Sequence, residues 1–265
     1  MNRNRELREI DERFRENAWD NVEMSSESRK IAEEKIKRDE QNIKTEPPAM
    51  SYAPWNDFYQ KHEMSFFKDR KWIKNEFPEL QKENQRILEI GCGTGSSLAS
   101  LISKNEVFGI DCAPTAIDII KKREGFKESN FSVQEITQDG PLKYREIDSA
   151  LLIFVLSATP PATHLQTLRK INECLNPQGL LFFRDYAHMD MAQLRFKPEQ
   201  IVEKNLYRRG DGTLAYFFTE EVLRHLAQES GFELLKCEVD RRLLINRKKK
   251  LEMQRCWIQA TLKKK

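Results

Sequence analysis

Three glycines stand at alternate positions in RILEIGCGTG: Gly91, Gly93 and Gly95. Residues without a Cβ let the chain turn sharply and let a ligand approach the backbone closely. A dinucleotide fingerprint needs Gly-x-Gly-x-x-Gly, which sets a pyrophosphate on the N-terminus of the next helix. Here the sixth position from Gly91 is Ser96, and the spacing is Gly-x-Gly-x-Gly behind the acid Glu89. That arrangement favours S-adenosylmethionine, which carries no pyrophosphate and presents a sulfonium and an amino-acid end. Asp111, twenty residues past Gly91, ends a β-like run, where a carboxylate accepts both ribose hydroxyls; NAD sites share that acid. Glu135 and Ile136 end the next such run and offer adenine a polar contact and an apolar wall.

These residues need strands and helices in alternation. RILEI, VFGID, FSVQEI, IDSALLIFVLS and LLFFRDY read as strands. SSLASLISK, APTAIDIIKKR, PPATHLQTLRKINECL and TEEVLRHLAQESG have helical spacing. The spacing places Pro114 near one helix start, NPQG at a helix stop, Thr219 as an N-cap and Gly231 past a helix end. Such a βαβ order predicts a parallel sheet covered on both faces, with ligands at the carboxyl ends of its strands. FELLKCEVDRRLLI and QRCWIQATL then predict an antiparallel hairpin at one edge. A doubly wound sheet ending in a hairpin is the layout of class I methyltransferases, and seven strands are expected.

The 265-residue chain is long enough for a substantial core. Its formal charge is only +3, yet ten Lys or Arg fall between Arg241 and Lys265, so a polyanion would feel that end most. Five scattered cysteines without a Cys-x-x-Cys pair argue against a disulfide framework and a zinc site, and suit a reducing compartment. No signal peptide or transmembrane run is legible, so a cytoplasmic protein is expected, with the nucleus as the alternative. Three regions are expected: a charged arm over residues 1–50, flexible or helical; an aromatic-rich helical cap over 51–82; and the catalytic domain over 83–265. Within the arm, the aromatic of NAWDNVE marks a docking point.

The strings PWNDFYQKHEMSFFKDRKW, LIFVLSA, FRDYAHMDMAQLRFK and RRGDGTLAYFFTEE strongly resemble the eukaryotic tRNA 3-methylcytidine methyltransferases, from about Trp55 to the C-terminus. NAWDNVE and VDRRLLINRKKKLEMQRCWIQ are most similar to the branch acting on threonine tRNAs. The chain departs from the family in carrying Glu135-Ile136 for a frequent Asp-Leu and Cys112-Ala113 for a Phe-Ser pair. The resemblance implies S-adenosylmethionine as cofactor, held by Trp55, Tyr59, Gly91, Gly93, Asp111, Glu135, Ile136 and Ile153. It also implies methylation at N3 of cytidine 32 in the anticodon stem-loop. Threonine tRNAs are the expected substrates, with serine and arginine tRNAs as further candidates and a tRNA-presenting protein as a candidate partner.

Cytosine N3 carries a lone pair, so no base has to remove a proton; alignment and electrostatics carry the rate. The product is cationic, and a carboxylate from Asp185, Asp190 or Asp211 would stabilise it, Asp185 first. Asp185 could equally be tied up by Arg184 or Arg195. Phe154 stands where an aromatic would stack on the base, or else is a buried strand residue. The expected phosphate contacts are Arg195, Arg208, Arg209, Arg241, Arg242, Arg247, Lys248, Lys249 and Lys250. No metal or membrane is expected. Two other readings are a methyltransferase acting on a small molecule or protein, which predicts no salt-sensitive RNA affinity, and a non-catalytic tRNA-binding scaffold. The intact glycine loop, Asp111 and FRDY argue against the scaffold.

Overall fold

The computed structural model describes residues 5–7, 9, 12–43, 53–62 and 68–265. In chain order the elements are β1 (Ala18–Asp20), α1 (Ser26–Glu40), α2 (Ala53–His62), α3 (Ile73–Glu76), β2 (Arg86–Ile90), β3 (Glu106–Asp111), α4 (Pro114–Lys121), β4 (Phe131–Val133) and β5 (Ile147–Ile153). There follow α5 (Pro161–Cys174), β6 (Leu175–Tyr186), α6 (Met191–Arg195), β7 (Ile201–Glu203), β8 (Leu206–Arg208), β9 (Leu214–Tyr216), α7 (Glu220–Glu229), β10 (Phe232–Asn246) and β11 (Leu251–Lys264).

The main sheet has the order β1-β10-β11-β6-β5-β2-β3-β4. Its central strands β6, β5, β2, β3 and β4 are parallel, and β11, β10 and β1 add on antiparallel. Successive strand residues point to opposite faces. Leu88, Phe108, Leu152 and Phe183 therefore join one core with α5 and α7, while Ile87, Val107, Leu151 and Phe182 join a second with α3 and α4. The chain leaves β2 for β3 on one side and returns to β5 on the other. The carboxyl ends of β2 and β5 thus flank the switch point where such sheets bind ligands.

The sheet has eight strands rather than seven, because the arm adds one. Trp19 buries its indole against Leu243 and Ile245 and donates its Nε1–H to the Arg13 carbonyl at 2.7 Å. That docking brings β1 alongside Leu244, Leu243 and Arg242 of β10. α1, capped by Ser25, lies against α6 and β7, and its buried Asp39 accepts from Lys35 and from the Tyr207 hydroxyl.

Three local expectations differ. SSLASLISK forms turns and a short 3-10 stretch (Leu98–Ser100) in place of an α-helix. Serine hydroxyls compete for backbone bonds there, and the Ser97 hydroxyl is engaged by Arg70. α5 does stop before NPQG, but β6 starts already at Leu175 and not at LLFFRDY, and Gln178, in left-handed backbone (φ 65°), absorbs the irregular pairing with β5. The stretch after LLFFRDY, irregular by its sequence, forms a second sheet, β7-β8-β9, packed on Tyr207 and Phe217.

The hairpin overhangs the sheet. β11 pairs with β6 only from Trp257, opposite Tyr186, to Lys263, whereas β10 and β11 stay paired out to Asn246 and Leu251. The turn at 247–250 therefore stands roughly 20 Å beyond the carboxyl end of β6, at about 3.3 Å per residue. It projects from the ligand-binding edge. Among the described residues, no helix is long and apolar enough to cross a membrane.

Candidate cofactor and substrate site

The glycine loop turns out of β2 with Gly91 and Gly93 in left-handed backbone, φ 65° and 51°. Their missing side chains are filled by protein neighbours. A Cβ on Gly91 would lie 2.4 Å from Val155 Cγ2, and one on Gly93 would lie 2.5 Å from the Tyr59 hydroxyl. The loop is thus wedged between the segment after β5 and the cap helix α2. Asp111 locks it from β3: its carboxylate accepts the Gly93 N–H and the Ala113 N–H, both at 2.9 Å. Burial pushes this carboxyl's pKa up, and the two backbone donors hold it back.

α2 covers the start of α4. Trp55, Phe58 and Tyr59 pack on Ala113 and Ala116, and Asn56 accepts the Thr115 N–H at 3.1 Å. Ile153 ends β5, buried. Glu135 turns back on its own loop, its Oε1 accepting the N–H and hydroxyl of Thr137 at 3.1 and 3.0 Å. Lys170 of α5 braces that loop by donating to the carbonyls of Ile136 and Gln138.

Glu89 lies on the same sheet face as Ile87, 1% exposed, and its Oε2 has no hydrogen-bond partner. Arg70 approaches the other oxygen, Oε1, at 3.7 Å. Burial outweighs that cation and lifts the Glu89 carboxyl to about 7. A buried acid with one unpartnered oxygen beside the glycine loop fits the ammonium of an S-adenosylmethionine amino-acid end, and Asp111 at the end of β3 fits its ribose. The raised pKa has a sign. Stability tied to protonated Glu89 is fully present below about pH 4.5 and lost as pH rises through about 7. Glu89→Gln should therefore stabilise the ligand-free protein at pH 8, by at most about 3 kcal/mol or about 5–10 °C in Tm, with little change at pH 4.5. A calorimetric scan showing the same Tm change at both pH values would contradict this.

Phe154 is the candidate stacking residue for the base. It follows β5 in left-handed backbone at φ 59°, a conformation rare for a bulky residue and concentrated at functional sites. Its half-buried ring lies 5.2 Å from the Tyr186 ring and 5.9 Å from the Arg70 guanidinium. Arg209 in turn lies over Tyr186 at 5.6 Å. It is not a buried strand residue.

Asp185 is fully buried. Its Oδ2 accepts the Ser157 N–H and its Oδ1 the Tyr186 N–H, each at 2.9 Å. Neither Arg184 nor Arg195 pairs with it. Arg184 points to the opposite face, into a buried network with Asp240 at 2.6 Å, and lies between the rings of Trp72 and Trp257. Burial raises the Asp185 carboxyl to about 6.

Two expected carboxylates are corrected. Asp190 is fully buried and saturated: it caps α6 through the Ala192 N–H and accepts from the Arg255 guanidinium and the Cys256 N–H. It pins the hairpin and exposes no atom to solvent. Asp211 sits in the exposed β8–β9 turn, bonded to the Thr213 N–H and hydroxyl.

The structure matches known proteins in sequence and in shape. A methyltransferase-domain family matches residues 59–236. The tRNA(Thr) (cytosine(32)-N(3))-methyltransferase of Saccharomyces cerevisiae is 39% identical over 97% of this chain, which spans 44% of that relative's length. The tRNA N(3)-methylcytidine methyltransferase trm140 of Schizosaccharomyces pombe is 37% identical over 97% of this chain and 90% of its own. The chain belongs to the tRNA N(3)-cytidine methyltransferase family. A solved S-adenosylmethionine-dependent methyltransferase from Anabaena variabilis shares the fold, with a TM-score of 0.60 at 14% identity over 84% of this chain and 98% of its own.

The basic residues of this family member divide into two groups. Lys248, Lys249 and Lys250 form the exposed tip of the overhanging hairpin. Arg247 is exposed beside them and donates to the Arg15 carbonyl, Arg208 is exposed on β8, and Arg195 ends α6. Arg209 is partly spent on Thr213 and Leu214, and Arg241 pairs with Glu23 at 3.4 Å. Arg242 is corrected: its guanidinium is committed to Asp240, Glu76 and Asp20 inside the protein. Sequence reasoning missed Arg70, Tyr186 and Lys170. Arg70 and Tyr186 stood inside the family strings, but no spacing rule marked them.

Proposed function

We propose that this protein methylates N3 of cytidine 32 in the anticodon loop of tRNA, threonine tRNAs first. The observation that carries the proposal is Phe154, a half-exposed aromatic held in left-handed backbone at the carboxyl end of β5, beside the glycine loop. S-adenosylmethionine supplies an electrophilic methyl group when bound. Asp111 and the glycine loop would hold its ribose, the loop after β4 its adenine, and Glu89 its ammonium.

The protein's remaining task is to place a neutral base. N3 of cytosine attacks with its own lone pair, so no side chain has to take a proton. In a duplex that nitrogen pairs with guanine, so the target must be unpaired, as in a loop. The Phe154 ring offers a stacking face, worth about 1–3 kcal/mol per base. Asp185 does not meet the base. Its charge holds the Ser157 and Tyr186 N–H groups and so fixes the segment that carries Phe154, which makes it a positioning residue. An anticodon stem-loop with cytidine 32 should accept methyl groups, and the same stem-loop with uridine 32 should not. Equal labelling of both would refute the assignment and favour another substrate.

The tip of the hairpin supplies phosphate contacts. Replacing Lys248, Lys249 and Lys250 together with alanine should weaken tRNA binding and flatten its dependence on salt by roughly two to three units of slope. S-adenosylhomocysteine affinity should stay unchanged. Filter binding across a salt series checks this, and a wild-type slope would make the tip a bystander.

A further inference from the structure

Arg70 lies on the segment joining α2 to α3 and touches three parts of the site. Its backbone N–H donates to the Ser96 carbonyl at 2.8 Å, and its guanidinium donates to the Ser97 hydroxyl at 3.0 Å. The guanidinium also lies 3.7 Å from Glu89 Oε1 and 5.9 Å from the Phe154 ring. At 3.7 Å the ion pair attracts without a hydrogen bond. The arginine side chain is only 17% exposed, and the acid keeps an oxygen that is buried and without a partner.

A half-buried cation beside a buried acid matches a zwitterion, with an ammonium against Glu89 and a carboxylate against Arg70. Guanidinium is suited to the second task, because its planar fork meets a carboxylate through two parallel N–H groups. We infer that Arg70 binds the α-carboxylate of the cofactor's amino-acid end and, through its contact with Phe154, couples cofactor binding to base binding. The inference rests on the cofactor reading above. It assigns Arg70 a role that the carboxyl groups of Glu89 and Asp111 cannot fill, since each would repel a second carboxylate.

Coupling follows from the geometry. A carboxylate that holds the guanidinium also fixes the cation beside the Phe154 ring, so the ring is ordered before a base arrives. Linkage makes the effect reciprocal: a base on Phe154 tightens the cofactor by the same factor.

The test uses two ligands that differ only at this end. S-adenosylhomocysteine carries the zwitterion, and 5′-methylthioadenosine lacks it. In calorimetry Arg70→Met should weaken S-adenosylhomocysteine by about 30-fold, the loss of one charged hydrogen-bonded contact. Methylthioadenosine should bind as in the wild type, which also reports an intact fold. Arg70→Lys should recover part of the loss. In the wild type S-adenosylhomocysteine should tighten an anticodon stem-loop by about 5- to 10-fold, and Arg70→Met should abolish that tightening. Unchanged S-adenosylhomocysteine affinity would overturn the proposal. Equal losses for both ligands would overturn it too, since Arg70 would then be bracing the loop. A wild-type protein that binds no S-adenosylhomocysteine would remove the cofactor reading itself.

Discussion

Asp111→Ala is expected to weaken S-adenosylhomocysteine by at least about 100-fold. The carboxylate accepts the Gly93 and Ala113 N–H groups from inside the fold, so alanine leaves two buried donors unsatisfied, at about 1–3 kcal/mol each. Gly93 sits in left-handed backbone beneath the Tyr59 hydroxyl, and the loop loses the anchor that keeps it there. The ribose loses its acceptor in the same step. Two such losses together come to about 2–6 kcal/mol, a range that brackets the roughly 2.7 kcal/mol that 100-fold represents. Calorimetry with S-adenosylhomocysteine and with NAD measures it. Wild-type affinity in the variant would remove Asp111 from the cofactor site, and tight NAD binding by the unaltered protein would overturn S-adenosylmethionine as the cofactor.

The second large effect is expected at Asp185. Asp185→Asn keeps the shape but turns one acceptor into an NH₂ group facing the Ser157 or Tyr186 N–H. The segment bearing Phe154 then shifts, and single-turnover methyl transfer should fall by about 100-fold, or about 3 kcal/mol of barrier. Affinities for S-adenosylhomocysteine and tRNA should stay within about threefold, because neither ligand contacts this carboxyl group. Stability should drop by about 1–3 kcal/mol. The pH profile separates charge from shape. With its pKa raised to about 6, Asp185 is ionised only above that pH, so the wild-type rate should climb through pH 6. The asparagine variant should show no such step. A near-normal rate at saturating tRNA would show that the Phe154 segment holds itself.

What the sequence could say about this site depended on how locally each feature is encoded. β2 and its glycine turn are written in ten consecutive residues, and Asp111 ends a buried strand one crossover later, so spacing alone located them. The parallel sheet followed from apolar strand runs alternating with helical ones. The eighth strand was not legible, because β1 is three residues long and exists only through Trp19 docking on the far hairpin. β7, β8 and β9 are likewise three residues each, too short for a period to register. The carboxylates misled for another reason. Asp185 closes the last parallel strand and Asp190 and Asp211 follow it, and only the fold shows that the second is saturated by Arg255 and its neighbours and that the third bonds within its own exposed turn. Arg242 likewise resembled a phosphate ligand until Asp240, Glu76 and Asp20 were seen around it.

Nucleoside analysis of tRNA after methylation tests the central claim most directly. Total tRNA lacking the modification is incubated with this protein and S-adenosylmethionine, digested to nucleosides and resolved by mass. The account predicts 3-methylcytidine, mapping to position 32 of threonine tRNAs and absent when Asp111→Ala replaces the wild type. Methyl groups on another nucleoside, or tRNA left unmethylated while S-adenosylhomocysteine still binds tightly, would contradict it.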